Sequence, residues 1–328
     1  MLIGDPNPST PRRTGRHPEL FVRSRPRDGI SDTDPPAGDD EPSEHRIQRL
    51  SDGLTRRRLL LGIGGVVGVL AAGGLAVSRA LDGDFGGYTA PDDQPTLSVR
   101  GPPDDTASRA VSREGDWSFD SGELFVFVHG FDTDATAARD QAYTAEVALD
   151  ELRPAPVAAY SWESALDWDD AKRTADAAAD PLADWLVEWA DEDGRPVHLL
   201  GYSLGARVCL EALDRLVDEE RSAVVASISL LGGAVPHDSV ARGGRYGSTI
   251  ADAKPAVVNF HSRNDRVLGW VYRLSDRTRA VGHGGISDAD GTPTGYRDVD
   301  VTDHVADHYS YFQPDEGCLP EVVDALAE

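Results

Sequence analysis

The stretch Val197-His198-Leu199-Leu200-Gly201-Tyr202-Ser203-Leu204-Gly205-Ala206-Arg207-Val208 constrains this chain more than any other. A short aliphatic run enters Gly-x-Ser-x-Gly, and a helix-forming segment leaves it. Strand before and helix after demand a sharp turn at the serine, which holds Ser203 in a strained backbone conformation with its oxygen clear of the sheet. Gly201 and Gly205 must be small, because side chains there would meet the neighbouring strand and helix. The Leu204 N–H then sits at a helix N-terminus beside the serine, where it can stabilise an oxyanion.

A run of apolar strands alternating with helical patterns surrounds that motif. Strands are expected at 124–128, 157–160, 197–200, 224–231, 256–260 and 295–301. Helices are expected at 135–152, 168–191, 206–220 and 321–327, with Trp185 and Trp189 four apart on one face. This pattern predicts an α/β fold: a mainly parallel sheet with helices on both faces, whose ligand site lies at the carboxyl ends of the strands. Only residues 232–253 leave room for a cap, so a small lid or none is expected.

Outside that domain, residues 1–54 are rich in Pro, Arg, Asp, Ser and Gly without apolar period and read as a disordered tail. Residues 55–81 open with Thr55-Arg56-Arg57-Arg58-Leu59-Leu60 and continue as an uncharged Gly/Ala-rich run over 59–77. Such an entry resembles a twin-arginine export signal, and the run is long enough to cross a bilayer. A cleaved signal and a retained anchor both fit. The arginines put the N-terminus in the cytoplasm, so the rest is expected to be exported, either extracellular or anchored to the outer face of the cytoplasmic membrane. Residues 82–115 read as a flexible linker, and 116–328 as the folded domain.

Charge narrows the partners. The chain carries 57 Asp and Glu against 32 Lys and Arg, a formal net charge of −25, and its only lysines are Lys172 and Lys254. An acidic, lysine-poor surface is expected of a protein living in molar salt; an ordinary acidic protein from a GC-rich organism is the alternative. No basic face is available to neutralise phosphates, which excludes a nucleic-acid role. Cys209 and Cys318 read as buried thiols, with a disulfide the other reading. No Cys or His spacing suits a metal, and neither metal nor cofactor is expected.

Chemistry-bearing residues fall at strand ends in a definite order. His129-Gly130-Phe131 follows the first apolar strand, Ser203 the third, and Asn264-Asp265 a later one, while His308 lies in the last loop. Serine needs an imidazole to take its proton, and the imidazole needs a carboxylate to fix its tautomer. The order Ser, Asp, His is that of α/β-hydrolases. Asp265 is the expected acid, with Asp238 the runner-up, and His308 the expected base, with His304 the runner-up. His237 and His261 come too early, and His283 sits in a Gly-rich loop. The Phe131 N–H is expected to join that of Leu204 in an oxyanion hole. His129 is expected to order its loop rather than act as a base.

Phe127-Val128-His129-Gly130-Phe131, Tyr160-Ser161-Trp162-Glu163-Ser164 and Leu200 through Arg207 together resemble poorly characterised α/β-hydrolases designated domains of unknown function. Leu231-Gly232-Gly233-Ala234-Val235-Pro236 and Asn264-Asp265-Arg266-Val267-Leu268 are similar to relatives found in transmembrane and coiled-coil domain proteins. The resemblance covers residues 120–315 and implies Asp265 and His308 as acid and base. Glu163 departs from it, standing where such relatives carry proline after Ser-Trp. The expectation is a serine esterase acting on small-molecule or lipid esters through an acyl-enzyme. It meets the membrane through 59–77 if that segment is retained, and the export machinery on the way out. A non-catalytic hydrolase-fold binding protein at the membrane and an acyltransferase with the same triad are the alternatives.

Overall fold

The computed structural model describes residues 88–327 apart from 103–105, 107–108 and 288–290. The expected tail and the signal or anchor segment lie outside the described residues.

Two short strands open the described chain, β1 (Thr96–Ser98) and β2 (Ser112–Glu114). Then β3 (Leu124–Val128) buries all five residues, Leu-Phe-Val-Phe-Val. With a side-chain period of two, Leu124, Val126 and Val128 enter the core on one face, and Phe125 and Phe127 the core on the other. A strand buried on both faces belongs in the middle of a parallel sheet. Helix α1 (Ala135–Asp150) starts at Asp134, whose carboxylate accepts the Ala137 N–H at 2.8 Å. After β4 (Val157–Ser161) comes the long α2 (Trp168–Glu192), with Trp185 and Trp189 both buried. Strand β5 (Val197–Tyr202) runs into α3 (Gly205–Asp218). A 3-10 turn at Ser222–Val224 precedes β6 (Ser227–Leu231), so that strand starts three residues later than its apolar run suggests. The short α4 (Gly247–Asp252) leads to β7 (Ala256–His261). A π-helical turn (Val267–Tyr272), α5 (Arg273–Asp276) and α6 (Val281–Gly284) separate β7 from β8 (Tyr296–Asp300), and α7 (Leu319–Leu326) closes the chain.

The eight strands form one sheet in the order β2-β1-β4-β3-β5-β6-β7-β8. Only the β1–β2 pair is antiparallel. Helices α2 and α3 cover one face, α1 and α7 the other. This is the α/β-hydrolase architecture implied by the resemblance.

Two expectations are corrected. The stretch 82–115 is not wholly linker: β1 and β2 form one edge of the sheet. They are three residues each, too short for their alternation to stand out in the sequence. The cover over the strand ends is also not confined to 232–253. The β7–β8 connection contributes a second segment, bridged to the first where Pro236 pairs with Ala280, and Leu268, Tyr272 and Ala280 pack with Ala234. Cys209 and Cys318 are both free and buried, and burial raises both thiol pKa values. No described helix is long and apolar enough to cross a membrane.

Candidate active site

Ser203 occupies the turn between β5 and α3 with φ of +52°, a left-handed conformation that costs a non-glycine residue strain. Neighbouring backbone holds it there. The Ser203 N–H donates to Leu231 O at 3.0 Å, and Ser203 O accepts from the Ala234 N–H at 2.9 Å and the Ala206 N–H at 3.2 Å. The flanking glycines are sterically required. A methyl group at Gly201 would lie 2.9 Å from Ala206 Cα and from Cys209 Sγ, both on α3, and one at Gly205 only 2.0 Å from the Val128 carbonyl oxygen of β3.

The structure brings Ser203, His308 and Asp265 together. Ser203 Oγ lies 2.9 Å from His308 Nε2, and His308 Nδ1 lies 2.7 Å from Asp265 Oδ2. All three are buried, Asp265 completely. The carboxylate can only accept from Nδ1–H, so the neutral imidazole presents an unprotonated Nε2 to the serine hydroxyl. Asp265 Oδ1 accepts the Leu268 N–H at 2.9 Å. His304, the runner-up base, is instead exposed beside Glu321 at 3.3 Å, and Asp238, the runner-up acid, is exposed beside His237.

The loops carrying acid and base are tied to each other. Ser262 Oγ donates to Val305 O at 2.8 Å, and Asn264 Nδ2 donates to Thr302 O at 2.8 Å. Tyr202 Oη donates to His308 O at 2.9 Å. Tyr311 Oη accepts the Ser262 N–H at 3.1 Å, and its one proton is shared between Gly282 O at 3.1 Å and Asp265 Oδ2 at 3.3 Å. Phe312 packs edge-on against Phe127 and Tyr202, at 4.9 and 5.0 Å between ring centroids. The aromatic run after His308 thus anchors an otherwise irregular loop.

On the other side of Ser203 stands the loop after β3. His129 is fully buried, and burial beside the Arg100 guanidinium pushes its pKa down to about 3. Its Nε2 accepts the Trp162 N–H at 3.1 Å, which leaves the proton on Nδ1 to donate to Gly130 O at 2.9 Å. Its ring stacks on the Trp162 indole at 5.3 Å. A neutral imidazole with both nitrogens occupied holds the loop and has no free nitrogen for proton transfer. A methyl group at Gly130 would lie 2.9 Å from Ser203 Cβ and 3.3 Å from its Oγ. Asp132 takes φ of +53°, and Ser164 straps the turn by accepting the Asp132 N–H at 3.1 Å and the Thr133 N–H at 3.0 Å. Among the described residues, neither the Phe131 N–H nor the Leu204 N–H has an acceptor.

Sequence reasoning missed Arg100 and Tyr311. Arg100 follows β1, inside the stretch read as linker, and its guanidinium donates to Ser161 Oγ and to Thr133 O, both at 2.7 Å. It also pairs with Glu163 at 3.6 Å, at the position that departs from the resembled family. The Leu97-Ser98-Val99 alternation was the one available signal for it. Nothing local to Tyr311 points at a carboxylate 46 residues away.

Comparison with known proteins gives three results. The family model described as Protein of unknown function (DUF726) matches residues 126–323. A transmembrane and coiled-coil domain-containing protein of Oryza sativa subsp. japonica, STS1, is 32% identical over 165 residues, 47% of this chain and 24% of that protein. An uncharacterised membrane protein of Schizosaccharomyces pombe is 32% identical over 167 residues, 48% of this chain and 28% of that protein. The matched region thus spans about a quarter of these curated relatives. Among solved structures, the mature lipase BlEst2 of Bacillus licheniformis aligns with a TM-score of 0.39 at 18% identity, covering 63% of this chain and 93% of that one. A metagenome-derived lipolytic enzyme from a study of LipS and LipT aligns at 0.41 and 13%, covering 72% and 98%.

Proposed function

We propose that this chain, which belongs to the family described as Protein of unknown function (DUF726), is a serine hydrolase that cleaves carboxylic esters through Ser203, His308 and Asp265. The observation that carries this reading is the continuous contact from Asp265 through His308 to a serine on left-handed backbone. A binding protein without chemistry has no use for a strained serine in contact with an oriented imidazole.

In the proposed cycle, Ser203 Oγ attacks the ester carbonyl carbon while His308 Nε2 takes the hydroxyl proton. The carbonyl oxygen becomes an oxyanion, which the open N–H groups of Phe131 and Leu204 receive. Collapse breaks the ester C–O bond, and His308 returns the proton to the departing alcohol. Water then attacks the acyl-enzyme with His308 again as base, releasing the carboxylic acid and restoring Ser203. Asp265 stabilises the imidazolium at both stages.

The first test is hydrolysis of a nitrophenyl ester series by the full chain in molar KCl, compared with Ser203→Ala. Loss of kcat by about a thousandfold or more supports the serine mechanism. Equal rates in the two proteins would sink it. Product analysis with alcohol acceptors present separates hydrolysis from acyl transfer, since an acyltransferase would return new ester rather than free acid. The names of the matched relatives support placing the protein at a membrane, and the 59–77 segment would hold it there with the hydrolase domain outside. Cleavage of that domain by protease added to intact cells checks the orientation.

A further inference from the structure

The helical stretch 266–277 follows directly on Asp265 and forms the second segment of the cover. Its inner side is apolar: Leu268 and Tyr272 are buried against Ala234, Ala280 and Trp168. Its outer side is not the acidic surface that a chain of charge −25 would lead one to expect. Trp270 is 70% exposed and Leu274 63%, the two most exposed large apolar residues of the described chain. They stand four residues apart, as neighbours on one helical face. Arg266 stands four residues before Trp270, Arg273 three after it, and Arg277 closes the stretch on left-handed backbone; all three are exposed.

The charge on this face is uncompensated. Arg207 and Arg215, on the helical cover of the sheet, each sit 2.5 Å from a carboxylate. Among the described residues, Arg266, Arg273 and Arg277 form no ion pair. The two acids of this segment itself turn inward, while Asp169 and Asp238 on the adjoining segments are exposed. Asp265 faces His308, and Asp276 accepts from Trp168 Nε1 at 2.7 Å and Lys172 Nζ at 2.8 Å. The stretch itself therefore presents indole, leucine and three guanidinium groups, with no exposed carboxylate of its own.

From this geometry we infer that the stretch 266–277 is a docking surface for an anionic lipid bilayer. Trp270 and Leu274 enter the interface between headgroups and acyl chains, and the three arginines engage the anionic headgroups. An aromatic with an aliphatic neighbour, ringed by arginine, is the chemistry an anionic interface takes up. The surface belongs to the segment that holds the candidate acid, so docking sets the rim of the site against the lipid. The docking itself does not depend on the hydrolase reading.

The test uses the full chain mixed with vesicles whose acyl chains carry bromine, which quenches indoles that enter the bilayer. Trp270 is the one exposed tryptophan of the described chain, and its signal is the difference between the native protein and Trp270→Phe. The expected result is loss of that signal in brominated phosphatidylglycerol vesicles, with little loss in brominated phosphatidylcholine vesicles. Combined Arg266→Gln, Arg273→Gln and Arg277→Gln substitutions are expected to restore it, and all variants are solvent-facing and expected to remain folded by circular dichroism. Quenching that is equal in both lipids, absent in both, or unchanged in the arginine variant would overturn the inference. So would concentration-dependent shielding of Trp270 from iodide without lipid, which would mean that a second copy of the chain covers this face.

Discussion

At the residue scale, the candidate site is organised around groups held in place by buried hydrogen bonds. Asp265 Oδ2 serves both His308 and Tyr311. Replacing Tyr311 with Phe removes one of the contacts that hold the carboxylate in place against the imidazole. We expect kcat/KM for ester hydrolysis to fall about tenfold. The Ser262 N–H keeps its bond to Gly282 O at 3.1 Å, so the stability cost should be about 1 kcal/mol. A large loss of stability with an unchanged kcat/KM would mean that Tyr311 only packs. His129 supplies a second residue-scale prediction. Its folded-state pKa of about 3 lies below the ordinary value of 6.5, so the unfolded chain binds more protons between those limits. Stability is full above the upper limit and falls as pH drops through the window, by about 1.4 kcal/mol per unit for this one group. Burial lowers the pKa of His198 and His261 as well, with the same sign. Denaturant unfolding at pH 7 and pH 5 should show this slope, and His129→Gln should reduce it; identical slopes would remove His129 from the account.

At the element scale, the nucleophile depends on how closely α3 approaches β3. Gly205 is where helix and strand meet, and a side chain there would lie 2.0 Å from backbone oxygen that cannot move without tearing the sheet. Gly205→Ala is expected to cost about 3 kcal/mol or more, read by denaturant unfolding. Gly130→Ala makes the complementary case. Its methyl group would press on Ser203 itself, 2.9 Å from Cβ and 3.3 Å from Oγ. Activity should therefore fall well before stability does. A Gly130→Ala protein as active as the native one would mean that the serine has more room than the structure gives it. The two glycines separate two requirements that the motif compresses into neighbouring letters: one for assembling the sheet and its cover, one for the space around the oxygen.

At the scale of the whole molecule, the charge of −25 is spread over a surface where most arginines of the helical cover pair with carboxylates but many acids do not. Self-repulsion of that excess opposes the compact state and is screened by salt. Raising KCl to molar concentration should raise Tm. Each gain of about 1 kcal/mol reads as about 2–4 °C for a domain of this size. A Tm that is flat or falling with KCl would show that the excess acid does not control stability.

Much of the fold was legible in the chain because it is written locally. The five buried residues of β3 and the Gly-x-Ser-x-Gly turn each declare their environment within a few positions, and strand and helix alternation then leaves few topologies. Ser203, His129 and Gly130 could be read the same way. What stayed hidden is whatever depends on distant segments meeting. The three-residue edge strands exist only because the rest of the sheet offers them a partner, and Arg100 gains its role from that pairing. The distinction between His308 and His304 is not one of sequence, since both lie in one loop. It was made by Phe312 and Tyr311, whose burial against Phe127, Tyr202 and Asp265 turns one imidazole inward and leaves the other outside. Local sequence determined the turn that presents a serine; tertiary packing, which alone brings side chains 43 and 105 residues apart into contact, decided which acid and which base it meets.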